Sequence, residues 1–366
     1  MKKSIITAAV AALFIGVLAI GHADAAEFKP KAEYKMSVNV SPVTPMGIGA
    51  NYFAEEVKRL TNGQINIKVY WNGQLMSGKA TNELLLMRKG VGDFSVSSFI
   101  NWAPQFPAGN LFLLPFFISA KHDKYAALDA IEAGSAGKML EAKIDKLGLK
   151  VIGWGEQGFR ELTNDLRPIV TPADMKDIKF RVVGSPLFID IFNALGANPM
   201  NISWAEALTA LQQKTVDGQE NPWAMYIPNK IYEFQKYITE WSYNADPLIY
   251  CVHNKVWETF PEDIQKIIAD TAVKAGQYNK ALSRLGLDNG ESEKWLKDNN
   301  LYPAEADLAV INPREFAKTK GVEITVLTPD QIAVFAEVTK PVFDKWVPKV
   351  GEDLVNAAIQ DMANIK

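Results

Sequence analysis

Arg181 sits in Phe180-Arg181-Val182-Val183-Gly184-Ser185-Pro186, an apolar run broken by glycine and proline. A guanidinium is a planar fork that matches a carboxylate through two parallel hydrogen bonds. Ile178, Phe180 and Val182 alternate with Arg181, so on a strand the arginine faces away from them, at the end that runs into Gly-Ser-Pro. The plain alternative is a solvated or ion-paired arginine. A second fork, Arg160, lies in Gln157-Gly158-Phe159-Arg160-Glu161-Leu162-Thr163-Asn164, where a salt bridge to Glu161 or Asp165 competes with anion binding. Two arginines overcompensate a monoanion unless a carboxylate shares the load, and Glu156 is the nearest candidate. Asn221 ends Val216-Asp217-Gly218-Gln219-Glu220-Asn221-Pro222 and offers both a donor and an acceptor. A helix N-cap before Pro222 would explain it equally well. Trp204, Trp223 and Tyr226 are the aromatics near these polar residues, where most such rings only fill core.

Other chemistries lack their residues. There is no Gly-x-Ser-x-Gly, His-Glu-x-x-His, P-loop or paired-cysteine metal motif, and Gly47-Ile48-Gly49 lacks the third glycine of a dinucleotide fingerprint. No cofactor and no metal are therefore expected. The single cysteine, Cys251, excludes an intrachain disulfide and reads as a buried thiol on a strand. Of three histidines, His22 falls in a leader, leaving His122 and His253 far apart.

These residues need elements to carry them. Lys2 and Lys3, the apolar stretch Ile5 to Ile20, and Ala23-Asp24-Ala25 follow the grammar of a secretory signal peptide, residues 1–25. Cleavage removes two lysines and one aspartate and moves the net charge from −3 to −4, which leaves no basic face for nucleic acid. The remainder is long enough for roughly two domains of ordinary size. Strand patterns over Tyr34–Val40, Ile65–Val69, Phe94–Ser97, Leu149–Trp154 and Lys179–Val183 alternate with helical ones, predicting mainly parallel sheets covered by helices. Ser77 is a candidate cap for a helix through Leu86. Thr259 and Glu262 are a candidate capping box for a long helix with apolar residues from Ile264 to Leu282. Gly153–Gly158 and Tyr243–Tyr250 are the expected crossings between two α/β halves.

The run Asp217-Gly-Gln-Glu-Asn-Pro222 with the upstream Arg181-Val-Val-Gly-Ser-Pro186 resembles the periplasmic solute-binding proteins of TRAP transporters, the DctP-like family, from the first mature strand to the C-terminus. The resemblance implies a two-lobed α/β fold with a hinge and a long helix spanning both lobes. Residues 26–155 with 246–285 would form one lobe, and 156–245 with 286–366 the other. By resemblance Arg181 holds the ligand's acidic group, Arg160 and Asn221 face the cleft, and Trp204 packs on the ligand. Thr44, Ser98 and Asn101 are nominated from the first lobe, and Trp223 and Glu156 complete the set. The function implied is a periplasmic receptor, not an enzyme. It would be monomeric and would close on a small organic anion, a carboxylate or a sulfonate, before delivering it to TRAP permease subunits. An exported enzyme acting on such an acid, or a receptor of an ABC importer, are the alternatives. Tyr302–Lys320 departs from the family as an insertion, read as a surface elaboration or a contact with a second subunit.

Overall fold

The computed structural model describes residues 28–119, 123–304, 308–363 and 365. The expected signal peptide and His122 lie outside them. In chain order the strands are β1 (Tyr34–Ser37), β2 (Ile67–Tyr70), β3 (Phe94–Ser98), β4 (Leu149–Phe159), β5 (Glu161–Asn164) and β6 (Lys179–Val182), followed by β7 (Asn198–Asn201), β8 (Gly218–Asn221), β9 (Tyr237–Glu240), β10 (Ala245–His253) and β11 (Glu323–Val326). They form a five-stranded sheet, β2-β1-β3-β10-β4, and a six-stranded sheet, β11-β9-β5-β8-β6-β7. The protein is thus two-lobed α/β. Each sheet is parallel except at one strand: β10 runs antiparallel to β3 and β4, and β5 antiparallel to β8 and β9.

Those two strands belong to the crossings. β4 ends at Phe159 and β5 starts at Glu161, so Arg160 is the residue between the sheets. The chain returns between Glu240 and Ala245. The first crossing is therefore later than the sequence pattern predicts. Gly153 and Gly158 are still paired with Tyr250 and Asp246, because the apolar run of β10 offers a partner along the whole of β4. The register slips between Asp246 and Pro247, which face Gly158 and Glu156, so Gln157 is the extra residue of a β-bulge. Gly158 has φ +115°, a backbone conformation open to glycine and strained for other residues.

The long helix Glu262–Arg284 lies along β4 and buries Ile264, Ile268, Ala272 and Ala275 with Phe53 and Tyr250. The packing is close. A Cβ on Gly276 would stand 1.9 Å from the Trp154 carbonyl oxygen, so only glycine fits there. The helix's last turn, Leu282 and Leu285, packs near Ile48, Val310 and Ile311. The expected capping box does not form. Pro261 occupies the N-cap, and the Thr259 hydroxyl donates to the Val256 carbonyl at 2.6 Å instead. Ser77 does not cap an α-helix either; left-handed at φ 53°, it ends the short 3-10 helix Gln74–Met76, and the next α-helix, Glu83–Arg88, has Asn82 at its N-cap.

The C-terminal helices tie the lobes together. Pro329–Val350 packs on Pro186–Ala194 of the second lobe, with the Trp346 indole N–H donating to Asp190 at 2.7 Å. Glu352–Ala363, expected with the second lobe, rests on Lys124–Ala133 and Ser135–Asp145. Asp361 there accepts from the backbone N–H groups of Ser135 (2.9 Å) and Ala136 (2.8 Å), which fixes the helix to the first lobe's flank. Within residues 302–320, expected as an insertion, Phe316 and Ala317 join the core of Tyr226, Ile231 and Val322, and Arg314 pairs with Glu240 at 2.7 Å. Cys251 is fully buried, and burial pushes its thiol well above the ordinary range.

Candidate functional site: a cavity between the lobes with one uncompensated arginine

Strand ends of both lobes converge on a cavity of about 300 Å³. Six of the nominated residues line it: Arg160, Arg181, Asn221, Trp204, Ser98 and Asn101. Asn39, Thr81, Gln157, Gly184, Asn201 and Asp246 also line it and were not nominated. The lobes meet closely at its edge. A Cβ on Gly184 of the second lobe would lie 3.4 Å from the Thr81 methyl of the first, tighter than most such contacts.

The three other nominees lie elsewhere, each held by a partner. Thr44 is the N-cap of the helix Pro45–Leu60; its hydroxyl accepts from the Gly47 N–H at 3.1 Å and is buried. Trp223 donates its indole N–H to Glu240 at 2.9 Å and packs edge-on against Tyr226. Glu156 faces the long helix, where Arg284 Nε donates to it at 2.8 Å. The expected N-cap role of Asn221 does not occur either. Pro222 takes that position, and Asn221 ends β8 with its Oδ1 accepting from Arg160 Nη2 at 3.1 Å.

The two arginines are alike in burial, each 2% exposed, and opposite in company. Arg160 is enclosed by carboxylates. Its Nε pairs with Glu220 Oε2, its Nη2 donates to Glu220 Oε1 at 2.8 Å and to the Glu220 carbonyl at 2.7 Å, and its Nη1 meets Asp246 Oδ2 at 3.0 Å. Tyr243 Oη adds a hydrogen bond to Glu220 at 2.8 Å. Burial works against this cation, but Glu220 and Asp246 more than offset it and hold its pKa above the ordinary arginine value. The load-sharing expected of Glu156 therefore falls to Glu220 and Asp246. An acidic residue inside the apolar run Ala245-Asp246-Pro247-Leu248-Ile249 is a sequence signal for a buried, paired charge.

Arg181 has no such partner. Its Nε donates to the Ile202 carbonyl at 2.9 Å, and its guanidinium carbon lies 5.7 Å from the centre of the Trp204 ring. Among the described residues no carboxylate lies within 4.0 Å of it. Burial pulls its pKa down to about 10, against the attraction of Glu220, so it remains a cation at neutral pH. Around it are further unmet polar groups: the buried Asn39 Oδ1 and Gln157 Oε1 have no hydrogen-bond partner among the described residues. Such groups are costly unless something pairs with them.

On the opposite wall Ser98 donates to Asp246 Oδ1 at 2.5 Å while accepting from the Ile100 N–H. Burial pushes Asp246 up to about 6, with Arg160 and the Ser98 hydroxyl opposing, so it is ionised at neutral pH. No cluster of His, Cys, Asp or Glu among the described residues is arranged to hold a metal ion.

This arrangement can bind an acidic group at Arg181 and polar atoms along the Asn39, Asn101 and Gln157 side. The family described as "Bacterial extracellular solute-binding protein, family 7" (DctP) matches residues 36–291. The chain belongs to this family. It is 28% identical over 321 residues to the C4-dicarboxylate-binding periplasmic protein DctP of Vibrio cholerae, covering 86% of each chain. Among solved structures it is similar to a TRAP periplasmic solute-binding protein of Ralstonia eutropha with (S)-2-acetolactate bound, at 42% identity and a TM-score of 0.82, over 92% of this chain and 100% of that one. A TRAP solute-binding protein of Sulfurospirillum deleyianum with bound succinate is 27% identical with a TM-score of 0.74, over 91% of this chain and 99% of that one.

Proposed function

We propose that this chain is exported through its signal peptide and serves as the extracytoplasmic receptor of a TRAP transporter. It closes on a compact organic acid anion and presents that anion to the membrane permease. The observation that carries this reading is Arg181: a buried, protonated guanidinium with no carboxylate within 4.0 Å among the described residues, opening into a cavity lined by both lobes. A buried charge without a counter-charge is unfavourable, and a ligand carboxylate supplies the missing partner. Because the cavity takes residues from both sheets, a ligand there contacts both lobes and favours the closed state over the open one. No step of this process calls for catalysis.

The volume argues for a small ligand, since about 300 Å³ is near the lower end of small-molecule pockets. Relatives with bound 2-acetolactate and succinate fit that size, one a monocarboxylate and the other a dicarboxylate. The test is mass spectrometry of ligand released from the denatured protein, followed by calorimetry with the identified acid. Arg181→Ala is expected to weaken binding by about 3–5 kcal/mol, and Arg181→Lys by a large part of that, because the planar fork is lost along with the position of the charge. Near wild-type affinity in the lysine variant would remove Arg181 from the binding role.

A further inference from the structure

The charges that face the cavity do more than admit an anion; they count how many negative charges it can carry. This inference rests on the reading of the cavity as an organic-anion site. Arg160 is already held by Glu220 and Asp246, so that trio carries one net negative charge at neutral pH. Arg181 supplies one positive charge. A monocarboxylate at Arg181 leaves the cavity with a single excess negative charge, lying on the Arg160 trio and shared through its hydrogen bonds. A dicarboxylate of similar length puts its second carboxylate into the same small, largely buried space, against Asp246, which lines the cavity, with Glu220 buried behind it on Arg160. Lys79 lines the mouth but is solvent-exposed, so its charge is weakened by water and salt.

Asp246 also has room for a neutral donor. Its oxygens accept from Ser98 Oγ at 2.5 Å, Arg160 Nη1 at 3.0 Å and Gln157 Nε2 at 3.3 Å. An ionised carboxylate has about four acceptor positions, so one remains for a ligand hydroxyl. We propose that Asp246 sets the charge selectivity of the receptor, favouring hydroxylated monocarboxylates and turning away dicarboxylates of the same length.

A matched pair of probes tests this. 2-Hydroxybutyrate and malate share a four-carbon 2-hydroxy acid skeleton and differ only in whether the far end is a methyl or a carboxylate. In calorimetry at pH 8 the wild-type protein is expected to bind 2-hydroxybutyrate at least tenfold more tightly than malate. Asp246→Asn keeps the side chain's shape and leaves Arg160 paired with Glu220, and should shrink that ratio by about tenfold or reverse it. Asp246→Ser serves the same purpose should the asparagine variant not fold. Malate bound by the wild type as tightly as 2-hydroxybutyrate overturns the proposal, and so does a ratio unchanged in the variants. Failure of the wild type to bind either acid counts against the anion-receptor reading itself, and this inference falls with it.

Discussion

Strand β4 has two faces at the bulge, and each looks onto a buried arginine. On one face Glu156 meets Arg284, which also makes two 2.8 Å bonds to Asp129 and lies 4.7 Å from the centre of the Tyr125 ring. Lys280 joins the same cluster through Asp129 and Glu132. On the other face Gln157 borders the cavity into which Arg181 opens. Arg284 and Arg181 are 6% and 2% exposed, so burial does not tell them apart. Their aromatic neighbours do not either, since each guanidinium lies near a ring. The difference is the counter-charge. Arg284 is part of the architecture that binds the long helix to β4, whereas Arg181 is left incomplete by its own chain.

Removing each guanidinium in the absence of ligand is the sharpest way to break this contrast. Arg284→Ala strands the fully buried Glu156 beneath the helix, while Asp129 keeps Lys280, and should cost about 3–5 kcal/mol of stability. Arg181→Ala strands no carboxylate, and should change stability by less than about 0.5 kcal/mol or raise it. Urea midpoints of the two variants decide. Equal destabilisation would mean that Arg181 is as structural as Arg284, and the comparison would fail.

The two faces also mark how far the sequence can be read. Alternating strand and helix patterns were enough for the two α/β halves, because period and turn residues are local properties. Arg181 was legible because its strand is apolar on the other side and ends in Gly-Ser-Pro. The choice between Glu156 and Gln157 was not. It depends on a one-residue bulge that is set by pairing with β10, about ninety residues later in the chain. Arg160's true partners, Glu220 and Asp246, are likewise brought to it by pairings across both sheets. Thr44 is nominated from the turn Ser41-Pro-Val-Thr-Pro, where a hydroxyl has no local feature that decides what it bonds. Only the fold shows that its hydroxyl is already spent on Gly47.

A third buried charge shows what happens when neither a counter-ion nor a ligand is at hand. Glu83 is fully buried, accepts from Ser37 Oγ at 3.1 Å and Trp102 Nε1 at 3.2 Å, and has no cation within 4.0 Å among the described residues. Burial pushes it from the ordinary 4.5 up to about 7. The folded state then holds this proton more tightly than the unfolded chain. Its contribution to stability is complete below about pH 4.5 and is lost as pH rises through about 7. The shift corresponds to about 3 kcal/mol. Unfolding free energies of the wild type and Glu83→Gln, compared at pH 5 and pH 8, should diverge by roughly that amount, with the wild type losing more at the higher pH. Parallel pH profiles would show that Glu83 is ionised and stabilised in some other way.

The smallest effect concerns the two rings. Tyr125 and Trp204 occupy equivalent positions beside Arg284 and Arg181, yet the comparison assigns them different duties. Beside Arg284, whose position carboxylates already fix, the ring adds packing. Beside Arg181 the other anchor among the described residues is the Ile202 carbonyl, so Trp204 holds the fork in place for a ligand. A cation–π contact of this kind is worth about 0.5–2 kcal/mol. Trp204→Leu should therefore weaken organic-acid binding by about 1 kcal/mol, and Trp204→Phe, which keeps a ring face, by less. Tyr125→Leu should lower stability while leaving affinity unchanged. Calorimetry on the three variants separates the duties. Equal losses in the leucine and phenylalanine variants would reduce Trp204 to a wall of the cavity, and a loss of affinity in Tyr125→Leu would show that the two faces of β4 do not act independently.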